Sequence, residues 1–294
     1  MLHSRRHFLR TTGSSLAALP FLGLPVQAMY TEALTIQQAI DYIIDQVGLQ
    51  LPTQTVDTVK SGDPTALVTG IATTCMATIP VIRRAIEDNI NLIVTHEPTF
   101  YNHLDETVWL AEDPVYRYKR QLLEEHGIVV WRFHDLWHKY RPDGIMTGFY
   151  RQLGWTEFQQ PGERNIVSLP LRPLRDLAKY LQTSLTLDRI FIIGDPKLPC
   201  SNIGCLPGAW GRQLHIDYLQ QPIEALIIGE GPEWETAEYV RDAAAAGLPK
   251  ALIILGHIGS EEPGMVYCQE WIKRIFPSIH CIHLEAGDSF QNIV

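Results

Sequence analysis

The chain has 294 residues, with 24 Lys+Arg against 33 Asp+Glu, five Cys and 46% hydrophobic residues. That hydrophobic fraction excludes a disordered chain, and five cysteines over this length exclude a disulfide-stapled miniature fold. The length supplies one large domain or two lobes, either with ample core.

The first residues read as an export signal. Ser4-Arg5-Arg6-His7-Phe8-Leu9-Arg10 has the twin-arginine pattern, Leu16 to Val26 is an apolar run broken by Pro20 and Pro25, and Val26-Gln27-Ala28 has the small-residue form of a cleavage site. The apolar run is 11 residues, too short to span a bilayer, so no stable membrane anchor is expected after processing. The mature protein is expected to be periplasmic or extracellular. Removing 1–28 leaves 21 Lys+Arg against 33 Asp+Glu, a balance of −12 over 266 residues. Such an acidic protein is a poor partner for nucleic-acid phosphates.

Apolar residues at helical spacing predict a helix over Leu34–Val47 with Thr35 as N-cap. Strands follow at Val56–Gly62 and Ala66–Ala72, a helix at Thr78–Asp88, and a buried strand at Ile90–Thr95 that ends on His96. Val115–Glu125 reads as helix, and Ile128–Phe133 as a strand ending on His134. Further along come a helix at Leu174–Thr183 and strands at Arg189–Ile193 and Ser201–Leu206, the last running into a glycine turn at Pro207–Gly211. A strand at Ala225–Ile228, a helix at Glu235–Ala246 and a strand at Ala251–Leu255 lead to Gly256-His257. Strands alternating with helices predict α/β architecture with largely parallel sheets. Two stretches echo each other: Gly70 to His96 and Gly229 to His257 both run turn, helix, apolar strand, histidine. Any βαβ unit has this form, but the echo also fits two similar lobes, an N-terminal one over 29–155 and a C-terminal one over 156–294.

Cys75, Cys268 and Cys281 lie in apolar or helical patterns and read as core residues. Cys200 and Cys205 could close a short loop.

Three histidine clusters stand directly after three predicted strands: His96-Glu97-Pro98, His134-Asp135-Leu136-Trp137-His138, and His257 with Glu261. Ligands of open α/β sheets bind beyond the carboxyl ends of strands, so these positions can converge. Imidazole and carboxylate without thiolate suit a borderline or hard divalent cation. His134 and His138 share a face if their segment is helical. Ser260 reads as an N-cap, which would place Glu261 in the first turn of the following helix. There are enough ligands for two metal ions of the Zn, Fe, Mn or Ni kind, and a metal pair can activate water.

Other readings are weaker. No P-loop, Gly-x-Gly-x-x-Gly or Gly-x-Ser-x-Gly motif is present. His126 and His215 read as surface residues, His280 and His283 as core or surface, and His103 as a solvated loop residue near the pocket. Glu230 and Trp234 sit on a turn near the expected cleft and could contact substrate.

The segments Gly70-Ile-Ala-Thr-Thr, Asn91-Leu-Ile-Val-Thr-His96-Glu97-Pro98, Asp143-Gly-Ile, Ser201-Asn-Ile-Gly-Cys-Leu-Pro-Gly-Ala, Ile228-Gly-Glu230 and Gly256-His257-x-x-x-Glu261 together resemble the NGG-interacting factor three-like family over most of 32–290. Its members are dinuclear-metal-centre hexameric proteins, also catalogued as type 2 homologues of GTP cyclohydrolase I. The resemblance implies two α/β lobes with a metal pair between them, a hexameric ring, and metal ligands at His96, His257 and Glu261. Where the family has a second histidine this chain has Glu97, and where it has a closing aspartate this chain has His138. The exchange keeps one imidazole and one carboxylate. His134 and Asp135 are then candidates for proton transfer, or Asp135 orients a neighbouring histidine. The expected function is an exported metal-dependent hydrolase acting on an unidentified small molecule; the alternative is a non-catalytic metal-binding or scaffold ring.

Overall fold

A computed structural model describes residues 34–160, 162–291 and 293; the export signal read at 1–28 lies outside them. The first helix, α1 (Ile36–Val47), starts on a capping box in which Gln38 N donates to Thr35 Oγ1 at 3.2 Å and Thr35 N donates to the Gln38 side chain at 2.9 Å. It buries Ile36, Ala39, Ile40, Ile43 and Val47 along one face. Then come β1 (Val59–Ser61) and β2 (Ile71–Thr74). The strand expected from Ala66 begins only at Ile71, because Ala66 and Val68 are taken up by backbone bonds to the start of α1 (Ile36 N to Ala66 O and Val68 N to Leu34 O, both 2.9 Å).

The chain continues through α2 (Ile79–Glu87, capped by Thr78), β3 (Leu92–Thr95), α3 (Pro114–Glu125, capped by Asp113), β4 (Val129–Arg132), α4 (Asp135–Lys139) and α5 (Gly144–Gln152, capped by Asp143). Next are β5 (Gln159–Gln160), β6 (Glu163–Pro173), α6 (Leu174–Ser184), β7 (Phe191–Ile193), β8 (Pro199–Leu206), α7 (Arg212–Leu219) and β9 (Ala225–Ile228). A wide helical turn at Glu233–Ala237 leads into α8 (Glu238–Ala245), followed by β10 (Ala251–Ile254), α9 (His257–Ile275) and β11 (Cys281–His283).

These strands form two mixed sheets. The first has the order β1-β4-β3-β2-β11, parallel except for β1, and the second the order β5-β6-β8-β9-β10-β7, parallel across β8-β9-β10. The last strand therefore returns to the first sheet rather than extending the second. β6 was not anticipated: Pro170 interrupts its pattern, and the pairing with β8 shifts register between Ser168 and Arg172. α9 begins three residues before the expected cap, because Gly256 at φ 90° turns the chain so that His257 is already helical.

An aromatic cluster packs α4 against α9: Phe133 to Trp137 and Trp137 to Trp271 both have ring centroids 5.4 Å apart in tilted pairs, with Trp137 fully buried. All five cysteines are buried and free. Cys200 and Cys205 lie five positions apart on extended β8, roughly 16 Å at a strand's rise, so the short disulfide loop does not form. Among the described residues, no helix is long and apolar enough to cross a membrane.

Candidate metal centre

Strand ends deliver the first donors. The ladder between β2 and β3 continues past Thr95, with His96 N on Thr74 O and Glu97 N on Cys75 O, so His96 and Glu97 leave the sheet at a fixed point. On the neighbouring strand, the turn after β4 places His134 just before α4 and His138 one turn later. Asp57 fixes that turn: its carboxylate accepts from the backbone N–H groups of His134, Asp135 and Leu136, each at 2.8 Å. The start of α9 supplies His257 and, one turn on, Glu261. Arg132, fully buried, donates to the carbonyls of His96 and His103 and lies 3.5 Å from Glu97 Oε2, which holds the loop after β3 down.

These donors meet. The rings of His96, His134 and His138 lie 4.6–4.9 Å apart, centroid to centroid. Two overlapping groups, His96 with His134 and His138, and His96 with Glu97 and Glu261, each have their donor atoms within 4.8 Å of one another. His257 Nε2 is 3.0 Å from Glu261 Oε2 and 3.4 Å from Glu97 Oε1, while His134 Nε2 is 3.7 Å from Glu97 Oε1.

The four histidines share one arrangement. Nδ1 of His96 faces the Phe133 carbonyl, and Nδ1 of His134, His138 and His257 faces Asp135, Asp143 and Glu230, at 3.0–3.3 Å throughout. In a neutral imidazole an oxygen acceptor on Nδ1 fixes the tautomer and leaves Nε2 as a lone-pair donor, the outer support characteristic of metal-binding imidazoles. At His257 the surrounding carboxylates favour the protonated ring, whose Nε2 proton a cation would have to displace. His96 Nε2 is buried without a hydrogen-bond partner, and its nearest carboxylate oxygen, on Glu261, stands 3.6 Å away. An orphaned imidazole nitrogen facing buried carboxylates is costly by itself and is what a divalent cation would satisfy. The residues present fit such an ion.

The charges are arranged to the same end. Burial, with the fields of His134 and His138, holds His96 neutral well below its ordinary pKa. Burial and His138 likewise lower His134 to about 4, against the pull of Glu97 and Asp135. Burial opposes charge on His138 too, but Asp143, with Glu261 and Glu97 beyond it, raises its pKa. At His257 burial is overcome by Glu230, Glu261 and Glu97, and the pKa rises to about 12. Burial would raise Glu97, yet the hydrogen bond from His257 and the neighbouring imidazoles hold it well below the carboxylate range, while burial leaves Glu261 raised. Three carboxylates thus converge on one imidazole, a pocket built for positive charge.

All seven residues singled out in the sequence are brought together, with roles finer than spacing could assign. His134 lies among the metal-competent imidazoles, and Asp135 stands behind it, also accepting from Thr55 Oγ1 at 2.8 Å. Asp57, Arg132, Asp143 and Trp210, whose ring centroid is 6.2 Å from that of His138, were missed. An acid inside the apolar alternation of Val56–Val59 and an Asp-Gly pair opening a helix were the available signals. Ser260 is not a cap: its Oγ donates to His257 O and accepts from Gly208 N. His215, expected on the surface, is buried because the turn before α8 folds over it, with Nδ1 2.9 Å from Thr236 Oγ1. His103 is exposed, with its ring 5.7 Å from His134, and His283 pairs with Glu262 at 2.9 Å.

Comparison with known proteins places this arrangement. The family model described as Duf34/NIF3 (NGG1p interacting factor 3) matches residues 26–286. A relative from Clostridium acetobutylicum named GTP cyclohydrolase 1 type 2 homolog is 24% identical over 230 residues, covering 74% of this chain and 81% of its own. The crystal structure of Staphylococcus aureus hypothetical protein SA1388 has a TM-score of 0.69 at 16% identity, covering 89% of this chain and 100% of that one. A Bacillus cereus protein related to NIF3 also reaches 0.69, at 12% identity over 90% of this chain and 100% of its own. At such identities the structural likeness establishes the fold, and the family match establishes the lineage: the chain belongs to the Duf34/NIF3 family.

Proposed function

We propose that this protein is an exported, metal-dependent hydrolase whose centre takes two divalent cations. The reading is carried by four histidines that each have Nδ1 tied to an oxygen: Nε2 of His96, His134 and His257 lies 3.0–3.7 Å from the buried Glu97 or Glu261, and His138 shares a donor cluster with His96 and His134. His96, His134 and His138 would hold one ion, and Glu97, His257 and Glu261 the second. Such a pair supplies Lewis acidity toward a carbonyl or phosphoryl oxygen and lowers the pKa of water. The chain's own residues orient and carry protons. Asp135, Asp143 and Glu230 fix the imidazole tautomers, and the Asp135 carboxylate, one-quarter exposed, gives a released proton a route to solvent. Three of the histidines are about one-fifth exposed, which favours a centre that admits substrate over one sealed for a structural role. The N-terminal pattern around Arg5-Arg6 supports export, and the family resemblance supports a hexameric ring.

Elemental analysis of full-length protein purified from its native host is expected to find about one to two transition-metal ions per chain. The loaded protein is expected to turn over at least one arm of a phosphoester, amide and cyclic-amidine panel. Folded, metal-free protein unaffected by His96→Ala with His257→Ala would overturn the metal centre. Full loading with no turnover in any arm would favour a scaffold.

A further inference from the structure

Two loops form the rim on the α9 side of the centre. Pro207–Gly211 follows β8, Gly229–Pro232 follows β9, and Glu230 N donates to Gly208 O at 3.1 Å, so they run side by side. Both crossings require glycine: a methyl on Gly229 would stand 2.4 Å from Gly208 N, and one on Gly208 would stand 2.0 Å from Glu261 Oε1. This close approach sets the loops directly on the metal-competent carboxylate, and from it two side chains emerge at the opening.

Trp210 keeps its indole N–H on Pro207 O at 2.7 Å, so its ring is fixed beside His138 although 39% of the residue remains exposed. Glu230 directs Oε1 to His257 Nδ1 while 56% of its side chain faces solvent. Its seat is rigid. His215 packs beneath Gly231 and bonds Thr236, and Glu235, at the unusual φ −105°, ψ −106°, is pinned by Arg212 at 3.0 Å. Two guanidinium groups near this opening are charge-paired, Arg132 buried on carbonyls and Glu97 and Arg212 on Glu235, while exposed Arg141 turns Nη1 back onto the His138 and Tyr140 carbonyls.

The geometry points to Trp210 and Glu230 as a substrate-binding shelf that selects molecules pairing a flat conjugated body with a cationic or N–H-bearing head. The indole supplies a stacking and cation–π surface, and the free Glu230 oxygen accepts from the head group. This rests on the centre being catalytic, but the shelf itself is made of protein groups and can be read by binding alone.

Isothermal titration of full-length, zinc-loaded protein with benzamidine and its neutral analogue benzamide tests it, alongside zinc content for each variant. Benzamidine is expected to bind about tenfold more tightly than benzamide, the value of one charge-assisted contact. Glu230→Gln keeps an acceptor for His257 Nδ1, so zinc content should hold while the ratio falls to about one. Trp210→Ala should weaken both ligands by roughly three- to tenfold with zinc unchanged. Equal affinities in the wild type, or a ratio unmoved by Glu230→Gln, would overturn the shelf. Loss of zinc alone in Glu230→Gln, with selectivity kept, would show that Glu230 only positions His257. Failure of the catalytic reading appears separately, as zinc-loaded protein that binds benzamidine selectively yet turns over nothing in the hydrolysis panel.

Discussion

The units β2-α2-β3 and β9-α8-β10 share one topology, two parallel strands joined by a helix with a histidine just past the second strand. Their surroundings differ. His96 is fully buried beside Glu97 under the Arg132 guanidinium, whereas His257 launches α9 from the Gly256 turn, part-exposed among three carboxylates. One end serves as an inner wall and the other as an opening. The topology fixes where a histidine stands; the residues one or two positions further along decide what it can do.

The largest test of that contrast removes each imidazole in turn. His96→Ala is expected to lower metal affinity by more than about 100-fold, beyond the 10–100-fold cost of losing an outer support, and His257→Ala by less. Competitive titration against a chelator measures both. Equal losses would erase the distinction between wall and opening.

A second test concerns the buried side. Lys119 is buried with Nζ on Thr99 O at 2.6 Å and packs against Phe100 and Tyr101. Burial, opposed by Asp105, pulls its pKa from 10.5 down to about 8. Between these values the unfolded chain binds more protons than the folded one, so folding stability rises with pH through that window. Below pH 8 the full penalty of roughly 3 kcal/mol applies. Urea unfolding at pH 7.5 and 9.5 should show the wild type gaining roughly 2 kcal/mol relative to Lys119→Met. No differential gain would mean that the loop after β3 is wetter than the wall requires.

The smallest expected effect is on redox. Reductant should leave the melting temperature unchanged, and thiol counting of the denatured protein should return all five cysteines. Detection of a Cys200–Cys205 bond would require β8, which feeds the loop at the opening, to bend.

Much of the fold is legible because local signals agree with their context: Thr35 caps its helix as the sequence suggests, the helices expected at 78–88 and 115–125 form behind the Thr78 and Asp113 caps, and the apolar strands lie at 92–95, 225–228 and 251–254, close to the expected spans. The histidines could be grouped because strand polarity brings carboxyl ends to one side. Hidden from sequence were features set by partners far along the chain. Asp57 acts on residues 77 to 79 positions away, the folded turn over His215 buries a polar side chain, and Pro170 masks a strand whose pairing tolerates it. His134 could not be separated from Asp135 in role until both ring nitrogens had neighbours.

The three amides gathered by Asp57 bear on when the protein can choose its ion. His134 and His138 acquire their places only once the segment before β1 has docked against the start of α4, a closure across more than seventy residues. Until then the chain offers scattered imidazoles with no common centre and little power to discriminate among cations. A metal taken by these residues would thus be selected by the completed fold, from the ions available wherever folding finishes.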